Sequence, residues 1–121
     1  MGELTMGAIE SRFAELIWER EPVSTAELNR LAKQELGWKK STMYTVLKRL
    51  CEKGIFQMKD GVVTALLSRD AFRAAQSEQL IDAAFDGSVP AFLAAFTRRR
   101  KLSEQDIAEI RKMIDECGRE E

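Results

Sequence analysis

A chain of 121 residues, 45% hydrophobic and 32% charged, has enough apolar material for one core, or for a minimal domain with a helical segment appended. It has no histidine and only two well-separated cysteines, Cys51 and Cys117, which excludes a disulfide framework, the common metal clusters and histidine-based hydrolytic sites. The net charge is −1, yet residues 1–36 carry four basic against seven acidic side chains, while residues 37–61 carry six against two, a local basic stripe on a nearly neutral molecule.

The first helix is expected from about Met6 to Arg20. Ile9, Phe13, Leu16 and Ile17 stand at i, i+4, i+7 and i+8 and predict its inward face. Glu21-Pro22 ends it, because the residue before proline is pushed out of the helical region, and Val23 reads as a short extended link. Ser24-Thr25-Ala26-Glu27 has the form of a capping box, with Glu27 expected to reach back to the cap. It opens a second helix that runs to Leu36, with Leu28, Leu31 and Ala32 inward and Gly37 at its end. A third helix spans Lys40 to Lys53, with Met43, Val46, Leu47 and Leu50 as its buried stripe. After Gly54 the period changes: residues 55–59 and 62–68 are β-prone, and Asp60-Gly61 between them is a strong hairpin signal. Three helices and a hairpin, with the short turn Gly37-Trp38-Lys39 between the second and third helices, predict a winged helix-turn-helix.

The rest of the chain reads as helical. One helix runs from about Asp70 to Phe85, a second covers Val89 to Arg99, and Ser103 caps a third. Phe92, Leu93 and Phe96 share one face of the second, and Ile107, Ile110, Ile114 and Cys117 form a seam on the third. The fold class is therefore mainly α with a small β-hairpin. Residues 1–68 form the winged-helix domain and residues 69–121 a helical dimerisation domain. Short amphipathic helices without a partner bury little of their apolar surface, so Leu80, Phe85, Phe92, Leu93, Phe96, Ile107, Ile110 and Ile114 are expected at a homodimer interface.

The third helix carries the chemistry. Opposite its apolar stripe lie Ser41, Thr45, Lys48 and Glu52, flanked by Thr42, Tyr44 and Arg49. Hydroxyls and methyls can read base edges, while lysine and arginine reach guanine or phosphate. Lys40 at the helix start and Lys59 on the wing extend the expected contact set to double-stranded DNA. Trp38 either stacks on the nucleic acid or packs against the turn, and Tyr44 either touches phosphate or lies on the domain surface. Trp18 follows the apolar face of the first helix and is structural. Cys51 reads as a small packing residue, and Glu15, Glu19 and Glu21 as a solvated acidic face. Arg98-Arg99-Arg100-Lys101 is either a solvated helix end or a contact to phosphate or an acidic partner. No cofactor, metal site or catalytic group is expected. With no apolar run long enough to span a bilayer and no signal-peptide pattern, a cytoplasmic location is expected. The competing function is a winged-helix protein-interaction module that does not bind DNA, suggested by the acidic first helix and the poorly basic wing.

On these residues the chain resembles the BlaI/MecI family of penicillinase and methicillin-resistance repressors, which also has copper-responsive relatives. The likeness covers Glu10, Phe13-Ala14 and Ile17-Trp18 in the first helix, WKKSTMYTVLKRLCEKG from Trp38 to Gly54, and LSEQDIAEIRKMID from Leu102 to Asp115. It implies a dimeric winged-helix repressor on inverted-repeat operators, with the third helix in the major groove. Ser41, Thr42, Tyr44 and Thr45 would contact bases or backbone, and Lys48 and Arg49 phosphates. Three departures stand out. The wing, KDGVVTALLS from Lys59, has one lysine and lacks the aromatic usual on its second strand. Antibiotic-responsive members are cleaved by a membrane sensor-protease at an Asn-Phe bond, where this chain has Gln79-Leu80. Cys117 alone does not reproduce the C-terminal cysteine motif of the copper-responsive members.

Overall fold

The helix and hairpin order expected from the periodicity is the order of the computed structural model, which describes residues 6–119. In chain order it comprises α1 (Ala8–Arg20), β1 (Val23–Ser24), α2 (Thr25–Leu36), α3 (Lys40–Glu52), β2 (Phe56–Lys59), β3 (Val62–Ala65), α4 (Arg69–Phe85), α5 (Val89–Arg99) and α6 (Glu104–Arg119). The chain divides into two compact units, Met1–Gln79 and Leu80–Glu121, and α4 contributes residues to both.

In the first unit, α1 to α3 and the hairpin make a winged helix-turn-helix. The wing is one strand larger than the pattern suggested. Val23 and Ser24 pair antiparallel with Val63 and Val62, giving a three-stranded sheet in the order β1-β3-β2. Two residues are too short a run for alternation to reveal, and the pairing is supplied by β3. Within the hairpin Phe56 opposes Ala65 and Lys59 opposes Val62, leaving Asp60 and Gly61 as a two-residue loop. Both loop residues have positive φ, 53° and 75°, as a primed turn requires and as the Asp-Gly pair tolerates.

The core comes from all of these elements. Phe13, Ala14 and Ile17 of α1, Leu28 and Ala32 of α2, and Met43, Val46, Leu47 and Leu50 of α3 are buried against Ile55, Phe56, Val63 and Phe72. Ile9, expected inward, is instead 57% exposed. The buried residues Phe13, Ala14 and Ile17 continue backwards in helical steps to Glu10, at i, i+3, i+4 and i+7, so the stripe runs through Glu10 and leaves Ile9 at its edge. The expected capping box is half formed. The Ser24 hydroxyl accepts from the Glu27 N–H at 3.1 Å, but the Glu27 carboxylate takes hydrogen bonds from Arg30 rather than returning to the cap. That charge-assisted bond from Arg30 is the main reason the Glu27 carboxyl lies below its ordinary pKa.

Trp18 ties α1 to two other parts of the unit. Its ring lies 5.3 Å from that of Phe56 on the wing and 5.5 Å from that of Phe72 on α4. Its indole N–H donates to the Leu67 carbonyl at 2.9 Å. Beside it, Glu15 accepts from the Arg69 Nε at 3.1 Å and forms an ion pair with the same guanidinium. Glu21 accepts from the Ala65 N–H at 2.9 Å. Two of the three carboxylates expected on a solvated face thus hold secondary structure in place, because α4 and β3 bring them a cation and an amide.

The second unit is built differently. Phe85 and Phe92 meet edge to face at 5.6 Å, and Phe92 lies 6.1 Å from Phe96. No residue of α5 or α6 is buried. Ser88 and Ser103 cap these helices by accepting from Ala91 and Asp106 N–H groups.

Phe56 is fully buried at the junction of wing and helices, so Phe56→Ala is expected to cost about 3–5 kcal/mol by urea denaturation. Ser24→Ala, which removes one cap, is expected to cost about 1 kcal/mol in the same assay.

Candidate nucleic-acid interface

The turn before α3 sets how that helix is presented. Gly37 closes α2 in the left-handed region at φ 69°, its N–H donating to the Lys33 carbonyl, and the Trp38 N–H donates to the Ala32 carbonyl. Trp38 then packs on the core, with its ring 5.0 Å from that of Phe13. This settles its role in favour of packing. A helix that starts on a clamped tryptophan has little freedom to rotate about its axis.

The Met43, Val46, Leu47 and Leu50 stripe seats one face of α3, so the opposite face points away from the core. Lys40, Ser41, Thr42, Thr45, Lys48 and Arg49 are exposed there, as the sequence placed them. Tyr44 is half-buried and packs against the core edge. The Thr45 hydroxyl donates to the Ser41 carbonyl at 2.9 Å. That bond commits the Thr45 proton to the helix. Its methyl and an acceptor lone pair stay available to a ligand.

The N-terminus of α3 differs from those of α2, α4, α5 and α6. Each of those helices opens on a serine, Ser24, Ser68, Ser88 and Ser103 respectively, whose hydroxyl accepts from the N–H of Glu27, Ala71, Ala91 and Asp106. At α3 the capping position is Lys39, with no side-chain cap and no acidic residue in the first turn. Unpaired amides at the positive end of a helix, beside Lys39 and Lys40, form an arrangement that favours phosphate. Lys39 was absent from the contact set expected from the sequence. The missing cap was the available signal, since Lys39 stands before α3 where Ser24 and Ser103 were read as caps of α2 and α6. Lys59 lies exposed on β2, opposite Val62.

Two cations at the C-terminal end of α3, the exposed Arg49 and the capping Lys53, lie near Glu10 of α1. Arg49 Nη1 lies 3.7 Å from Glu10 Oε1, and Lys53 Nζ lies 4.0 Å from Glu10 Oε2. Along the other side of α3, Tyr44, Leu47, Lys48, Cys51 and the β2 residue Met58 line an open, mostly apolar groove of about 320 Å³. Burial raises the Cys51 thiol above its ordinary pKa. Among the described residues no group of histidine, cysteine or acidic side chains is placed to hold a metal ion.

A model of the penicillinase repressor family matches residues 6–116, nearly the whole chain. The chain belongs to the penicillinase repressor family. It is thereby a transcriptional repressor, of a family of regulatory proteins rather than enzymes. Comparison with curated proteins gave no match. In this penicillinase repressor family member the match takes in α1, the helix-turn-helix, the wing and most of α6.

The remaining predicted residues lie in the second unit or at its edge. Leu80, Phe96, Ile107 and Ile114 are exposed, while Phe85, Phe92, Leu93 and Ile110 are half-buried. Among the described residues no single helix is long and apolar enough to cross a membrane.

The two thiols differ in reactivity for a physical reason. Cys117 is exposed, whereas Cys51 is half-buried with a raised pKa, so less of it is thiolate at neutral pH. Iodoacetamide at pH 7.5 is expected to label Cys117 first by mass spectrometry. Labelling of Cys51 should lag and accelerate as the pH rises.

Proposed function

We propose that the protein represses transcription by binding an inverted-repeat operator as a homodimer, with one α3 in each of two successive major grooves. The observation that carries this reading is the exposed polar face of α3 behind an uncapped, lysine-flanked N-terminus in a penicillinase repressor family chain. Lys40, Lys48, Arg49 and Lys59 contact phosphates and supply most of the affinity. Ser41, Thr42, Tyr44 and Thr45 face base edges or the adjoining backbone and supply sequence choice. Residues 1–68 act as the DNA-binding domain and residues 69–121 as the dimerisation domain, in the cytoplasm.

The second unit supports the dimer. Helices with no buried residue and with Leu80, Phe96, Ile107 and Ile114 on the surface expose apolar area that a second copy would cover. The seam of α6 supplies Ile107, Ile110 and Ile114, and α4 and α5 supply Leu80, Phe85, Phe92, Leu93 and Phe96. An inverted repeat requires the two recognition helices of such a dimer to stand about 34 Å apart, one turn of B-DNA.

Selection from a randomised duplex library at about 50 and 200 mM salt tests the reading, because phosphate-driven binding weakens steeply over that range. Two half-sites about one helical turn apart, with a steep salt slope, are the expected result. No enrichment at either salt would instead favour a protein-interaction module. Lys48→Ala removes one phosphate contact per chain and should weaken binding to every duplex and flatten the log–log salt slope of the dimer by about 1.8. Thr45→Ala should relax the preference at a single position, and equal effects from the two changes would refute the assigned roles.

The dimer has its own test. Ile114→Glu places a charge on the α6 seam and is expected to convert a two-chain species into a one-chain species in sedimentation equilibrium. Circular dichroism of the first unit's helices should change little. A wild-type protein that sediments as one chain at micromolar concentration would rule the dimer out.

A further inference from the structure

Glu10 occupies a place that packing alone would give to an apolar residue. It lies on the buried stripe of α1, three residues before Phe13 and seven before Ile17, and its side chain is only 21% exposed. Among the described residues its Oε2 is the buried side-chain oxygen or nitrogen without a hydrogen bond. The cations nearest the carboxylate come from α3 and its cap. Arg49 is 3.7 Å from one oxygen and Lys53 is 4.0 Å from the other. Both separations exceed hydrogen-bond length, so the attraction is coulombic and leaves the guanidinium room to leave.

Arg49 therefore has two uses for one charge. Its side chain is 52% exposed, which places it within reach of solvent and of a phosphate. Lys39, Lys40, Lys48 and Lys59 have no such carboxylate: no ion pair involves them among the described residues. Of the six basic residues between 37 and 61, two are thus held by α1 and four face outward without a counter-charge.

We propose that Glu10 is an electrostatic brake on DNA binding, holding Arg49 against α1 until a correctly registered phosphate displaces it. The inference rests on the DNA-binding reading above. Pulling Arg49 away leaves a poorly solvated carboxylate facing Lys53 alone, which is costly. A duplex that also engages the base-reading face of α3 keeps a phosphate in place long enough to offset that cost. A duplex of arbitrary sequence does not, and it meets a protein with one fewer usable cation. Glu10 is thus a positioning residue that widens the gap between operator and non-specific affinity without touching DNA.

The test compares salt dependence on a selected operator and on a scrambled duplex, by fluorescence anisotropy of the full chain. In Glu10→Gln, Arg49 is released in both chains of the dimer, so the slope on the scrambled duplex should steepen by about 1.8, one added phosphate contact per chain. The loss of affinity between ~50 and ~200 mM salt then grows about 12-fold on that duplex. The slope on the operator should change much less, and Arg49→Gln added to Glu10→Gln should remove the gain. A folded Glu10→Gln protein with the wild-type slope on scrambled DNA would overturn the brake. Should Glu10→Gln fail to fold, single variants decide: Arg49→Gln should take less than half as much as Lys48→Gln off the slope on scrambled DNA. Equal losses overturn the proposal. If the wild-type chain retains no duplex at low salt, the DNA-binding reading itself fails and the brake falls with it. That outcome differs from binding with an unchanged slope.

Discussion

The packing of Trp18 is the constraint on which the winged-helix unit depends. One indole touches the wing through Phe56, touches α4 through Phe72, and donates its N–H to the Leu67 carbonyl between them. A large aromatic ring with a satisfied polar edge fills volume and fixes orientation at once. Because Trp18 and Phe13 both belong to α1, and Phe13 packs on Trp38, α1 forms a spine between the wing and the turn that launches α3. The pose of α3 is thus tied to the far side of the core.

That dependence gives the acidic side chains of α1 an unexpected place. Glu15 is bound to Arg69, Glu21 to the Ala65 amide, and Glu10 faces Arg49 and Lys53. The first helix is acidic because it meets cations and amides on α3, β3 and α4. Its charge is therefore no argument against nucleic-acid binding, since much of it is matched within the domain. Among the described residues the exposed positive charge at the start of α3 and on the wing has no ion pair, and that is the charge a duplex would meet.

The two units have different thermodynamic characters. The first buries a continuous core from seven elements and is closed by hydrogen bonds and ion pairs. The second has two aromatic contacts and serine caps, and its helices carry apolar faces with no residue buried. Caps and helix propensity hold short helices only weakly, and most helical stability comes from packing. A second copy of the chain supplies that packing in the proposed dimer.

The sequence by itself determined the element order, the buried stripe of α3, the two-residue wing turn and the exposed polar face of α3. Each follows from a local rule: a helical period, a left-handed turn residue, or the opposition of apolar and polar faces. The family resemblance was equally legible, because it rests on contiguous motifs in α1, α3 and α6. Only the tertiary structure decided what depends on distant partners. It recruited Val23 and Ser24 as a strand by bringing β3 beside them, and packed Trp38 on Phe13. It also put Glu10 rather than Ile9 on the buried stripe. A hydrophobicity pattern places an apolar residue inside by default. It cannot register that cations 39 and 43 residues away in sequence, Arg49 and Lys53, come close enough to make burying a carboxylate tolerable.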